Sequence, residues 1–197
     1  MMGNAEEKNE LRQKCFICGC STDFINQKNV TQRESLCPTC SSSRRNSDLA
    51  AIILETFLPG SIVSLRTSGS KLSPLSIFEA QARGPVHNCL KDLPYYVCSE
   101  YFDDTPKGNR NEEGILCENL EDLSFPDDTF DLVITQDVLE HVASPEKAFS
   151  EIFRVLKHGG YHIFTIPYHE NQPTLCRAVV ENGKKIFRYP PVYHGDP

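Results

Sequence analysis

The sequence predicts an α/β protein in which a doubly wound, mainly parallel sheet is preceded by a small metal-stapled module. Three observations predict it. Two Cys-x-x-Cys pairs, Cys15/Cys18 and Cys37/Cys40, lie in a stretch too poor in aliphatic residues to bury a core unaided. Beyond residue 60, short apolar runs alternate with turns and one strongly periodic helix, the pattern of strands joined by helices that yields a parallel sheet. The composition is that of a folded chain, with 39% hydrophobic and 24% charged residues in 197, a length that suits one ordinary domain carrying a small extra module.

Residues 1–12 are charged and without a period, and read as a mobile leader. Residues 13–46 form the cysteine module, and its serine-rich end, 41–46, reads as a polar joint. Residues 47–60 are a linker helix. Ser47 is a fair N-cap for 48–58, where Leu49, Ile52, Ile53 and Phe57 recur at helical spacing, and Pro59-Gly60 ends the run. Residues 61–197 are the second domain, with strands expected at 62–65, 75–80, 95–101, 114–117, 130–135 and 161–166, and a further candidate at 186–189. The best helix spans 145–157. Ala148, Phe149, Ile152, Phe153, Val155 and Leu156 give it a buried face, Gly159-Gly160 a C-terminal stop, and His158 a cation suited to the last turn.

Within the module, 18 residues separate Cys18 from Cys37. Each Cys-x-x-Cys makes a tight knuckle, and two knuckles close a tetrahedral four-thiolate site, so Cys15, Cys18, Cys37 and Cys40 are read as ligands of a structural zinc. A four-thiolate iron site, a redox pair and four unrelated thiols are the alternatives. Such a site is closed, so its role is structural or in recognition, and the binding energy of the metal becomes folding energy. Cys20 reads as a bystander, and Cys89, Cys98, Cys117 and Cys176 as ordinary core or partly exposed thiols.

Charge and hydropathy exclude several function classes. The formal charge is −7, which argues against a non-specific grip on nucleic acid or on an anionic membrane. Residues 1–48 carry seven Lys/Arg against six Asp/Glu, too small a surplus for a nucleic-acid module. No apolar run approaches the roughly 18 residues of a spanning helix, and the N-terminus lacks the apolar stretch of a secretory signal, so the expected address is the cytoplasm.

Residues 123–142, LSFPDDTFDLVITQDVLEHV, followed by EIFRVLKHGG at 151–160 and a strand ending at Ile166-Pro167, resemble the class I S-adenosylmethionine-dependent methyltransferases. The match is close over about 115–168 and loose over about 75–114, and a cysteine module ahead of such a domain is similar to a zinc-ribbon subgroup of that superfamily. The resemblance implies a Rossmann-like fold with the ligand at the carboxyl ends of the strands. It places Glu79 at the acidic end of the first strand and 80–85 as the loop facing the cofactor. That loop holds only one glycine, Gly84, where relatives are glycine-rich. Glu100, after the second strand, falls where the family accepts hydrogen bonds from the ribose hydroxyls, a task suited to a two-oxygen anion. Asn119 and Leu120 fall at the adenine, Asn119 where relatives often carry Asp. Gln136 faces the methyl group, and Asp137, Glu140 and His141 follow on a short helix. His141 is the candidate general base, against the alternative that it orients that helix. Tyr168 and His169 fall on the acceptor side, and Asp127 and Asp128 form a turn.

The resemblance implies methyl transfer from S-adenosylmethionine to an oxygen, nitrogen or carbon acceptor, a reaction that needs positioning more than catalytic side chains. The acceptor is not legible. The resembled fold has seven strands and this chain lacks the last two, which implies an incomplete domain with a sheet edge to be covered, as in a homodimer. A catalytically degenerate methyltransferase fold acting through its zinc ribbon is the alternative class, and a nucleic-acid-binding zinc protein the third.

Overall fold

A computed structural model describes residues 13–25, 32–60, 63–168, 173–181 and 184–190. The expected leader, Ile62, His169 and the proline-rich end at 191–197 lie outside the described residues. The chain divides into two compact units, Met1–Leu75 with Arg83–Tyr96, and Ser76–Ala82 with Val97–Pro197.

In the first unit β1 (Gln13–Lys14) pairs antiparallel with β2 (Ser21–Thr22) around the first cysteine knuckle. Single bridges, Ile25 to Leu36 and Leu36 to Ser43, frame the second. Helix α1 (Arg44–Phe57) starts before the expected N-cap: the cap is Ser43, whose hydroxyl accepts from Asn46 N–H at 3.3 Å. Ser47 is inside the helix and buried, because its hydroxyl accepts from Phe16 N–H (2.9 Å) and so ties the helix to the first knuckle. The expected polar joint is likewise packed, with Ser42, Ser43 and Asn46 all buried. The strand expected at 62–65 is absent among the described residues. Ser64 and Thr67 instead form a reciprocal capping box that starts α2 (Leu65–Ser68). Its first two N–H groups donate to Phe16 and Ile17 carbonyls at 2.7 and 3.1 Å. Helix α3 (Pro85–Leu90), with Pro at its first position, completes the unit. Its buried apolar residues include Ile17, Leu49, Ile53, Leu65, Leu72, Val86 and Leu90.

The second unit is built on a five-stranded sheet of β3 (Ile77–Glu79), β4 (Tyr96–Glu100), β5 (Leu116–Cys117), β6 (Phe130–Gln136) and β7 (Leu156–Thr165), in the order β5-β4-β3-β6-β7. The pairs β3–β6, β6–β7 and β4–β5 are parallel. Strand order runs outward from β3 to β5, then reverses to β6 and β7, so the topological switch lies between β3 and β6. The doubly wound, Rossmann-like class is therefore borne out. Phe78, Phe125 and Phe130 pack with ring centroids 4.9 to 5.5 Å apart at the centre of a core that includes Leu123, Val133, Ile152 and Val155.

Helix α4 (Pro145–Val155) is capped by Ser144 and ends two residues earlier than expected. Leu156 is already extended and β7 begins there, so His158 and Gly159-Gly160 lie in the strand and form no helix stop. The β6–β7 register shifts between Phe130 and Leu132, which face Leu156 and Tyr161. Gly160 makes that irregularity possible: a Cβ there would meet the Lys157 and Phe130 carbonyl oxygens at 3.0 and 3.1 Å. The buried face of α4 is also narrower than the sequence pattern suggests. Ala148, Ile152 and Val155 are buried, but Phe149 and Phe153 are exposed, Phe153 to 80%. The strand expected at 186–189 is β9 (Lys184–Phe187), which pairs antiparallel with β8 (Ala178–Glu181) as a separate hairpin outside the central sheet.

Candidate functional site

The carboxyl ends of the sheet strands carry Glu79 on β3, Glu100 on β4, Glu118 just past β5 and Gln136 on β6. Chain reversal at the β3–β6 switch puts Glu79 and Gln136 side by side. Glu79 is fully buried, and its carboxylate accepts from the Gln136 amide at 2.8 Å. Glu100 accepts from Ala82 N–H at 3.0 Å, so the carboxylate after the second strand of the sheet is tied to the loop after the first. The resulting rim is acidic. Half-buried Cys98 on β4 registers this, since burial pushes its thiol up and the Glu79 and Glu100 carboxylates push it further, against Arg110.

The remaining predicted positions are more scattered. Asn119 uses its side-chain oxygen to accept from Glu121 N–H (2.9 Å), an Asx turn that shapes the loop after β5. Leu120 is buried in the core, which leaves its backbone as the part a ligand could meet. Gly84 belongs to the first unit, at the N-cap of α3 with φ +103°, a conformation suited to glycine. His141 is half exposed and stands 3.9 Å from Glu140. Its segment, 138–143, is a run of turns in place of the expected short helix, because Asp137 adopts φ +51°. Asp137 is pinned there by Thr165, whose carbonyl accepts its N–H and whose hydroxyl donates to its carboxylate, both at 3.0 Å.

Glu118 belongs to the segment that the resemblance places at the adenine, but two rim contacts escape sequence reasoning. Glu118, only 3% exposed, holds Ser124 through both backbone N–H (2.9 Å) and hydroxyl, which folds the 118–124 loop onto itself. The Ala82 N–H that meets Glu100 is a backbone group, for which a sequence carries no signal.

The cysteine cluster forms as predicted. The sulfurs of Cys15, Cys18, Cys37 and Cys40 all lie within 4.8 Å of one another. Cys15–Cys40 and Cys18–Cys37 are 3.7 and 3.8 Å apart, against the edge of about 3.8 Å that a tetrahedron with metal–sulfur bonds of about 2.3 Å requires. The residues present therefore fit a four-thiolate metal. Each knuckle is closed by the same backbone pattern: Gly19 N–H to Cys15 carbonyl (2.7 Å) and Ser41 N–H to Cys37 carbonyl (2.8 Å), with Gly19 and Ser41 both at positive φ. Burial pushes the Cys15 thiol up to about 11. Cys20 stays outside that group of four, as the pair spacing implies, although its sulfur lies 3.3 Å from that of Cys18 and 3.4 Å from that of Cys37.

Residues 95–164, from the start of β4 almost to the end of β7, match the methyltransferase domain family. An uncharacterized protein of Methanocaldococcus jannaschii is 40% identical over 79 residues, 40% of this chain and 33% of that protein. The ubiquinone/menaquinone biosynthesis C-methyltransferase UbiE of Hydrogenovibrio crunogenus is 43% identical over 60 residues, 30% of this chain and 24% of that protein. Among solved structures, the YcgJ protein from Bacillus subtilis aligns at 24% identity and a TM-score of 0.36, over 48% of this chain and 45% of that one. The chain thus spans a third or less of the length of these curated relatives. The stretch similar to the methyltransferase domain family, residues 95–164, contains four of the five sheet strands, the last of them but for Thr165, and the rim residues Glu100, Glu118 and Gln136.

Proposed function

We propose that the protein binds S-adenosylmethionine at the rim of its sheet and transfers the methyl group to an acceptor, and that Cys15, Cys18, Cys37 and Cys40 hold a structural zinc. The observation that carries the first part is the placement of Glu79, Glu100 and Gln136 at the carboxyl ends of three adjacent strands, β3, β4 and β6, of a doubly wound sheet. When bound, the cofactor supplies an electrophilic methyl on a cationic sulfur, and an acidic rim suits that cation. Glu100 offers a carboxylate to the ribose hydroxyls, steadied by Ala82 N–H. The Asn119–Leu120 loop is the adenine contact, and Gly84 lets the chain leaving β3 turn into α3. Glu79 and Gln136 fix each other at the switch, so neither has to reorganise when the methyl group moves. His141 is the candidate proton acceptor for an acceptor that must lose a proton, and its half-exposed place on a turn leaves it able to reach one.

The cytoplasm is the proposed address, and no described helix is long and apolar enough to cross a membrane. Calorimetry of the 197-residue chain with S-adenosylmethionine tests the reading. Saturable binding that weakens by about tenfold or more in Glu100→Ala is expected, the loss of a charge-assisted pair of hydrogen bonds. Absence of binding to a folded, zinc-loaded chain would overturn it.

A further inference from the structure

With Cys15, Cys18, Cys37 and Cys40 as metal ligands, Cys20 is left in the cluster without a role, and any function for it rests on that metal reading. The two knuckles repeat each other beyond their ligands. Cys15 N–H donates to the Cys20 carbonyl and Cys37 N–H to the Ser42 carbonyl, both at 2.9 Å, so Cys20 occupies in the first knuckle the place of Ser42 in the second. The side chains correspond as well: the Cys20 sulfur lies 3.3 Å from the Cys18 sulfur, and the Ser42 hydroxyl 3.2 Å from the Cys40 sulfur. A hydroxyl therefore serves the local structure at this position. What a thiol adds is redox chemistry.

Cys20 also reaches across to the other knuckle, where its sulfur is 3.4 Å from that of Cys37. Both of its contacts are shorter than the 3.7 and 3.8 Å ligand edges, and Cys20 is outside the group of four sulfurs that lie within 4.8 Å of one another. It caps the Cys18–Cys37 edge from outside the tetrahedron. Cys15 and Cys37 are buried, whereas Cys20, like Cys18 and Cys40, is partly exposed, and of these three it alone lies outside the group of four, open to a small oxidant. Bonding to Cys18 would close a ring across the single left-handed residue Gly19, while bonding to Cys37 joins the two knuckles without that constraint.

We propose that Cys20 is an oxidation-sensing thiol that converts exposure to a hydroperoxide into release of the metal, by forming a disulfide with Cys37. In the first step the Cys20 sulfur attacks hydrogen peroxide. The O–O bond breaks, an S–O bond forms, and one water leaves, giving the sulfenic acid. In the second step the Cys37 sulfur, as a thiolate that would no longer serve as a metal ligand, attacks the Cys20 sulfur. The S–S bond forms, the S–O bond breaks, and the hydroxide takes up a proton and departs as a second water. The two sulfurs together supply the two electrons that reduce the peroxide. With Cys37 in the disulfide, only Cys15, Cys18 and Cys40 would remain to hold a metal, and a chelator could then remove it.

The test uses the full 197-residue chain loaded with zinc, with metal content measured first. A chain that takes up no zinc refutes the metal reading itself, and this proposal with it, before any oxidant is added. Hydrogen peroxide is then added, zinc release is followed with a chromogenic chelator, and disulfides are located by peptide mapping. One zinc released per Cys20–Cys37 disulfide is expected. Cys20→Ser, which copies the Ser42 arrangement, should bind zinc and release it roughly tenfold more slowly, whereas Cys176→Ser, at an exposed thiol outside the cluster, should release at the wild-type rate. Equal release rates in wild type and Cys20→Ser overturn the proposal. So does a wild-type peptide map whose disulfide omits Cys20, a result that stands even if the variant does not fold.

Discussion

Burial holds the His162 imidazole neutral, pulling its pKa down to about 4 while its Nε2 shares a hydrogen bond with the buried Thr135 hydroxyl at 3.0 Å. Its ring stacks on Phe164 at 4.8 Å. An unfolded histidine titrates near 6.5, so between about pH 6.5 and 4 the unfolded chain binds a proton that the folded chain refuses. Stability is therefore full above about pH 6.5 and falls as the pH drops toward 4, by about 3 kcal/mol at most from this group. Denaturant melts at about pH 7.5 and 5 should show the loss, and His162→Gln, which keeps a partner for Thr135, should flatten it; an unchanged pH slope in the variant would refute the assignment. Residue identity made some of the site legible and not the rest. The four-cysteine cluster was readable because knuckle geometry is local and its spacing is short. Glu79, Glu100 and Gln136 were readable through the family resemblance, which places them at the carboxyl ends of strands. Asp137 was not, since its left-handed backbone is imposed from β7 by Thr165, 28 residues away. Cys20 could have been found from the parallel of Cys-x-x-Cys-Gly-Cys with Cys-x-x-Cys-Ser-Ser, which aligns it with Ser42.

Among the elements, the α4–β7 junction makes the sharpest demand on sequence. Lys157 Nζ donates to the Asp131 carboxylate at 2.8 Å, the same oxygen that accepts Ser76 N–H at 2.8 Å, and so links β7 to the start of β3 through the start of β6. Arg154, on the last turn of α4, donates to the Leu123 and Phe125 carbonyls and pairs with Asp127 and Glu151. Between them the chain must leave a helix and enter a strand without a loop. A Gly160→Ala substitution places a methyl 3.0 to 3.1 Å from two backbone oxygens, neither of which can swing aside, and should cost roughly 1–3 kcal/mol in a denaturant melt. A variant as stable as wild type would mean that the β6–β7 irregularity shifts freely. The same junction explains two differences from the sequence reading. Periodicity marks 145–157 as one helix because the apolar residues continue in step, but it does not register that Leu156 also belongs to a strand. Nor does it separate Phe149 and Phe153 from the stripe at 148, 152 and 155 that the sheet actually covers. At α1 the choice between Ser43 and Ser47 as N-cap was closed to local reasoning, since both are serines and only the tertiary bond to Phe16 distinguishes them.

Across the whole molecule, the sheet class followed from alternation, because an open parallel sheet has few alternatives once the helices between strands are recognised. The partition of contacts did not. Helix α3, in the connection between β3 and β4, groups with α1, α2 and the cysteine knuckles. Stripping the metal should therefore loosen α3 along with the knuckles. Hydrogen exchange with and without a chelator is expected to show faster exchange over 13–57 and 85–90, and little change over the β6 and β7 amides. A uniform rise would mean that the two units unfold together. The partition has a further practical meaning. The chain passes from one unit to the other at 75–76, 82–83 and 96–97, so neither is a contiguous gene segment. A stop codon or protease cut after Tyr96 carries the sheet's central strand away with the cysteine-bearing part, and anyone wishing to graft or delete that part cleanly must reroute the polypeptide around the seven residues, 76–82, that supply this strand.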